Sequence, residues 1–249
     1  MDPISEQKQN AACEAVKHIK DGDIVGLGSG STAAYAIQAL GKRAKTEGIH
    51  VMGIPSSYQA FQLAVENAIP ITTLEEHPTI DVTIDGADQL TPQLYLIKGG
   101  GAALTREKIV ASASKINIII ADQAKKAPFL GSNGQFVPIE VIPFALSLVK
   151  CRLTAIGGKA TFREAKGKLG PIITDNGNAV LDVIFGEIHD PAELAVKIKM
   201  LPGVVETGLF VGLTNIAYIG SAGGVEKIDA PKNNSATCVA GALQSHKLK

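Results

Sequence analysis

Chemistry concentrates in three turns of this chain. The first, Gly26-Leu27-Gly28-Ser29-Gly30-Ser31-Thr32, joins an apolar run to an amphipathic one. Glycines let a backbone approach a ligand closely, and the free N–H groups that open a helix attract an anion. The hydroxyls of Ser29, Ser31 and Thr32 add donors, so a phosphate is the natural guest, although the same residues would also make a plain tight turn and helix cap. A dinucleotide fingerprint fails on two counts. Ser31 stands where its third glycine belongs, and the next strand ends in Pro55-Ser56-Ser57, with no acid for a ribose hydroxyl. A Walker A loop would need a Lys-Ser/Thr pair that is absent here.

The second turn is Asp85-Gly86-Ala87-Asp88. Two carboxylates three residues apart at a strand end can point into one crevice and accept hydrogen bonds from vicinal hydroxyls. They are also ordinary turn residues. No histidine joins them, and the five histidines (His18, His50, His77, His189, His246) have no ligand spacing, so no metal site and no cofactor are expected. The third turn, Lys98-Gly99-Gly100-Gly101, runs into Ala102-Ala103-Leu104-Thr105-Arg106-Glu107-Lys108. A triple glycine is entropically costly, and close approach to a ligand is a reason for it. Lys98 offers a cation where negative charge could develop, and Glu107, early in the following helix, is a candidate general base. Arg106 and Lys108 read as a solvated helix face.

These turns need elements to hold them. Helical periodicity covers 5–20, 33–40, 58–67 and 102–115, and short apolar runs at 24–28, 49–54, 69–73, 82–84, 94–97 and 116–121 read as strands. Such alternation implies a doubly wound, mostly parallel α/β sheet of Rossmann-like type, whose functional groups gather at the carboxyl ends of its strands. All three turns fall at those ends. Beyond residue 131 the pattern changes. A strand at 136–142, with Pro138 inside it and Pro143 just after it, reads as an edge, a helix spans 144–156, a strand 159–163, and 172–174 with 179–183 flank Asp175-Asn176-Gly177-Asn178, a hairpin signal. A helix at 191–200 and a strand at 204–210 complete a smaller inserted α+β unit of the split βαβ, ferredoxin-like kind. The expected division is a main domain of 1–131 and 206–230, a small domain of 132–205 and a polar tail of 231–249, the sequence turning polar from Lys227.

Composition limits the partners. The 249 residues carry 24 Lys+Arg against 24 Asp+Glu, so neither nucleic acid nor an anionic membrane surface finds a basic patch. Three scattered cysteines (Cys13, Cys151, Cys238) and a polar, acidic amino terminus without a signal-peptide pattern point to a cytoplasmic protein. Aromatic residues make up 4% with no Trp, which argues against stacking on bases or sugars.

Taken together, the segments at 26–32, 85–88 and 98–108 resemble ribose-5-phosphate isomerase of the A type. Ala121-Asp122 with Lys125, Pro138-Ile139-Glu140-Val141-Ile142-Pro143 and Thr174-Asp175-Asn176-Gly177-Asn178 extend the resemblance over roughly residues 5–227. It implies a metal-free aldose–ketose isomerisation of a sugar phosphate through a cis-enediolate, and a homodimer or homotetramer. It also implies substrate contacts from Ser29, Gly30, Ser31, Thr32, Asp85, Gly86, Ala87, Asp88, Lys98, Gly99, Gly100, Gly101 and Lys125. Glu107 matches the family's proton acceptor, Lys98 would stabilise the oxyanion, and Asp85 and Asp88 would hold hydroxyls and assist ring opening. Lys8 and Lys125 are candidate phosphate cations, while the Ser29–Thr32 loop could equally hold the sugar's reactive end. Two rivals are a sugar-phosphate-sensing domain without catalysis and a coenzyme A transferase. The first would need a DNA-binding module for which the first twenty residues are too short.

Overall fold

The computed structural model describes residues 2–165, 167 and 169–231. Its elements run α1 (Pro3–Val16), β1 (Ile24–Leu27), α2 (Gly30–Glu47), β2 (Met52–Pro55), α3 (Tyr58–Glu66), β3 (Ile80–Gly86), β4 (Gln89–Leu90), β5 (Leu96–Ile97), α4 (Leu104–Ser112) and β6 (Ser114–Asp122). They continue with β7 (Val137–Val141), α5 (Leu146–Ala155), β8 (Lys159–Phe162), β9 (Ala179–Ile184), α6 (Pro191–Lys199), β10 (Val204–Thr207), β11 (Leu209–Phe210), β12 (Ile216–Ser221) and β13 (Gly224–Asp229).

Six strands form one sheet in the order β13-β12-β6-β3-β1-β2, parallel except at the β12–β13 pair. Both faces are covered, which is why β6 reads as a continuous apolar run. Ile118 and Ile120 pack with α1, α2 and α3 residues, whereas Ile119 and Ala121 pack with Leu104 and Phe210 on the opposite side. This is the α/β architecture that the alternating pattern implies. A second sheet, β10-β7-β9-β8, is antiparallel throughout, and with α5 and α6 it makes a βαββαβ unit around a core that includes Ile139, Val149, Leu153 and Ile198. A small third sheet, β11-β5-β4, joins the two.

Several expectations are corrected. Pro138 within β7 and Pro143 just after it mark the strand as an edge, yet it lies between β10 and β9. Pro138 has no N–H to return to Gly208, whose own N–H donates to Pro138 O at 2.7 Å; the Gly208 carbonyl instead accepts from Lys98 N at 2.9 Å. A missing ladder bond inside one sheet thus becomes a tether to the Gly-rich turn. The expected strand at 204–210 breaks at Gly208 into β10 and β11, which belong to different sheets. A Cβ at Gly208 would press on Lys98 O and on Pro138. Residues 69–73 make one bridge, Gly53 to Ile71, because the chain turns away at Thr73, whose carbonyl accepts from His77 N. The first helix starts earlier and ends sooner than its periodicity suggests: Asp2 caps Ile4 N and Ser5 N, Pro3 occupies the first turn, and the helix stops at Val16. The expected hairpin turn forms, with Thr174 N donating to Asn178 O at 2.8 Å, although its first arm contributes only the Ile173–Ala179 bridge. Polar residues from Lys227 continue β13 to Asp229, while the rest of the expected tail, 232–249 with Cys238, lies outside the described residues. Among the described residues, no helix is long and apolar enough to cross a membrane.

Candidate active site

The carboxyl ends of β1 and β3 and the turn after β5 converge on a cavity of about 270 Å³. Sequence-level candidates Lys8, Ser29–Thr32, Gly86–Asp88, Lys98–Gly101, Glu107 and Lys125 all line it. Close packing explains the glycines locally. A Cβ at Gly28 would lie inside the Asp85 side chain, so β1 can approach β3 here only without one. Gly99 has φ +103°, a left-handed conformation, and a Cβ at Gly100 would come within 2.6 Å of the Asp88 carboxylate that its N–H binds at 2.7 Å. Gly101 faces open space. Of the three glycines, one answers to backbone geometry, one to Asp88 and only the third to an empty cavity.

Asp85 does not line the cavity. It is 3% exposed, and its carboxylate accepts from Ser29 N at 3.0 Å and Gly86 N at 2.7 Å and pairs with Lys98 at 3.0 Å. The reading of Asp85 as a ligand for substrate hydroxyls therefore gives way to one in which it anchors the first turn and Lys98. Lys98 is equally buried. Its ammonium donates to Gly86 O at 2.6 Å and pairs with Asp85 at 3.0 Å and Glu107 Oε1 at 3.1 Å, which uses its three protons. Burial disfavours the Lys98 cation, but the carboxylates of Asp85, Glu107 and Asp88 outweigh it and push its pKa up, so it stays charged.

Glu107 has the opposite balance. Burial raises its pKa, Lys98 pulls it back, and repulsion from Asp85 and Asp88 adds to the rise, leaving it at about 8. Its Oε1 is held by Lys98, while Oε2 is buried and has no hydrogen-bond partner among the described residues. A buried carboxylate oxygen left bare is costly unless something fills the place. A basic, desolvated carboxylate on a residue that lines the cavity is suited to taking a proton from carbon.

At the other side stands the amino end of α2. Ser29 Oγ is occupied by Ser56 and Ser57 at 2.8 and 2.6 Å, and Gly30 N donates to Gln59 Oε1 at 2.8 Å. Within this turn the hydroxyls of Ser31 and Thr32 remain at the wall, with Lys8 Nζ donating to Ser31 Oγ at 3.1 Å and Lys125 nearby in the lining. Among the described residues no three His, Cys, Asp or Glu side chains are grouped to hold a metal ion.

Sequence reasoning missed several contributors. Ser57, Gln59 and the 172–175 segment also line the cavity. Arg163, from beyond β8, donates to Gly99 O at 2.8 Å and Gly100 O at 3.0 Å while gripping Asp182. Nothing local in the sequence signals it. Arg106 and Lys108 are not a solvated face. Arg106 donates to Asn176 Oδ1 at 2.7 Å and Asp175 O at 2.8 Å, and Lys108 pairs with Glu206 at 2.9 Å and lies 4.8 Å from the Phe210 ring centre.

The family model for ribose 5-phosphate isomerase A (phosphoriboisomerase A) matches residues 52–224. A ribose-5-phosphate isomerase A of Methanothermobacter thermautotrophicus is 46% identical over 226 residues, covering 91% of this chain and 99% of the relative. One from Natronomonas pharaonis is 50% identical over 220 residues, 88% of this chain and 95% of the relative. Among solved structures, a D-ribose-5-phosphate isomerase in complex with phospho-erythronic acid superposes with a TM-score of 0.89 at 43% identity, covering 92% of this chain and 100% of that one. The ribose 5-phosphate isomerase A of Methanocaldococcus jannaschii gives 0.86 at 42% identity, covering 90% and 98%. None of these is named as a sensor or a transferase. The chain belongs to the ribose 5-phosphate isomerase A family.

Proposed function

We propose that Glu107 is the general base with which this enzyme interconverts D-ribose 5-phosphate and D-ribulose 5-phosphate. The observation that carries the assignment is that Glu107 lines the cavity with a buried Oε2 that has no hydrogen-bond partner among the described residues, on a carboxylate whose pKa is raised to about 8. In the open-chain aldose, Oε2 takes the proton from C2, and the C2–H electrons form the C1=C2 bond of a cis-enediolate as the carbonyl electrons move to O1. The protonated Glu107 then returns a proton to C1, the electrons on O2 form the ketose carbonyl, and the O2 proton is exchanged to O1. Lys98, its three protons engaged, stabilises the developing oxyanion through its charge, in a site where water screens little. Asp88, held by Gly100 N, is the carboxylate placed to accept sugar hydroxyls; Asp85 keeps Lys98 and the first turn in place.

The phosphate belongs at Ser31 and Thr32, with Lys8 and Lys125 as its cations. Helix α2 directs the positive end of its dipole there, and Ser29 and Gly30 N–H are already engaged. An open-chain sugar phosphate spanning this site is the same class of ligand as the phospho-erythronic acid held by the solved relative. The reading includes a cytoplasmic enzyme working as a homodimer or homotetramer. Glu107→Gln tests the base: turnover of ribose 5-phosphate is expected to fall by about 10²–10⁴-fold while binding of inorganic phosphate persists. Turnover within about tenfold of the wild type would remove Glu107 from the role.

A further inference from the structure

Four consecutive residues of α4 reach four different places. Glu107 meets Lys98 and the cavity, Arg106 meets 175–176, Lys108 meets β10, and Thr105 Oγ1 donates to Glu140 Oε2 at 2.6 Å. Glu140, in the middle of β7, is fully buried. Its other oxygen, Oε1, accepts from Thr174 Oγ1 at 3.0 Å, Asn176 Nδ2 at 3.0 Å and Asn178 Nδ2 at 2.8 Å. Among the described residues, each of these contacts is a donation to the carboxylate, and none comes from a cation. The Asn176 amide cannot turn round, because its Oδ1 is already accepting from Arg106.

A carboxylate offers about four acceptor positions and no donor, so it is suited to collecting four donors at once. Glutamine at the same place has one oxygen for the Thr174, Asn176 and Asn178 donors, turns an NH₂ to Thr105, whose hydroxyl must then accept instead of donate, and lacks the charge that strengthens all four hydrogen bonds. Burying such a carboxylate without a cation is expensive for stability alone. What it joins is informative: Thr105, two residues before Glu107 in the same helix, and the turn whose Thr174 and Asp175 line the cavity. We infer that Glu140 is a positioning residue for the isomerisation, which holds Glu107 at its working distance from substrate by fixing the start of α4 and the 174–178 turn to β7. This rests on the reading of Glu107 as the base.

The test compares Glu140→Gln, Thr105→Val, Thr105→Ser and their Glu140→Gln/Thr105→Val combination, with Glu107→Gln as reference. It measures kcat and KM for ribose 5-phosphate, inhibition by inorganic phosphate and the unfolding midpoint. A displacement of about 1 Å at a reacting group costs on the order of 10²-fold in rate. Glu140→Gln is therefore expected to lower kcat by about 10–10²-fold, with KM and phosphate inhibition within about threefold of the wild type. Thr105→Val, a substitution in a half-buried side chain that should not endanger folding, is expected to show the same kcat loss. Thr105→Ser, which keeps the hydroxyl, should recover kcat to within about threefold, and the double variant should lose no more than Glu140→Gln alone. Unchanged kcat in Glu140→Gln or in Thr105→Val overturns the inference, as does a loss shared equally by kcat, phosphate affinity and the unfolding midpoint. An active Glu107→Gln overturns it through the base, whereas an inactive Glu107→Gln beside an active Glu140→Gln overturns this inference alone.

Discussion

Two buried groups of opposite charge, Lys98 and Glu107, share one small volume at the residue scale, and their environments push both pKa values upward. The consequence is a pH profile. A base must be ionised to act, so kcat/KM should fall as the pH drops through the raised Glu107 value of about 8. Asp85→Asn removes a repulsive carboxylate and should move this acid limb down; Lys98→Met removes the attraction, should move it up, and should lower kcat by about 10²–10³-fold. Steady-state rates from pH 5 to 10 check all three, and an acid limb in the ordinary carboxylate range in the wild type would contradict the argument. Residue types are a good guide here. A lysine before three glycines and a glutamate in the next helix are legible as candidate cation and candidate base without coordinates, and the structure brings both to one cavity. Which of Asp85 and Asp88 faces the cavity is not legible, because both sit at one strand end and only packing against Gly28 decides it. The roles of Arg106 and Lys108 stay hidden for a related reason: their partners lie 69 and 98 residues away.

At the scale of elements, the site depends on close approaches that sequence periodicity does not encode. Alternation of apolar strands and amphipathic helices makes the parallel sheet and its loaded carboxyl ends readable without coordinates. The errors at 136–142 and 204–210 fall where one segment serves two sheets. Pro138 reads as an edge signal, yet its missing donor leaves Gly208 O free for Lys98 N, and Gly208 itself ends β10 and starts β11. The Gly-rich turn offers a direct comparison. Gly100→Ala places a Cβ against the Asp88 carboxylate and should cost about 1–3 kcal/mol, several degrees in Tm. Gly101→Ala meets no atom of the described residues within 4 Å and should leave Tm unchanged while raising KM, because Gly101 lines the cavity. Thermal denaturation and KM values for the pair separate the two roles; equal Tm losses would show that both glycines serve packing alone.

The whole molecule brings distant parts of the chain to one cavity. A Cβ at Gly220 would lie against the backbone of Gln7, so α1 rests directly on β12 and carries Lys8 to Ser31, the proposed phosphate position. Gly220→Ala should therefore raise KM more than it lowers kcat. Stability should also carry the signature of the site. Glu107 has a folded pKa above its ordinary value of 4.5, so the folded state binds the extra proton, and stability is lost as the pH rises from about 4.5 through about 8. Unfolding midpoints across that range should fall less steeply for Glu107→Gln than for the wild type; parallel slopes would contradict a buried, proton-retaining Glu107. The most direct test of the central claim follows the reaction itself. EDTA-treated enzyme is incubated with D-ribose 5-phosphate in deuterium oxide and observed by proton NMR, beside Glu107→Gln. The account predicts ribulose 5-phosphate with solvent deuterium entering its carbon-bound C1 position in the wild type, and neither product nor exchange in the variant. Deuterium incorporation at an undiminished rate by Glu107→Gln would contradict it.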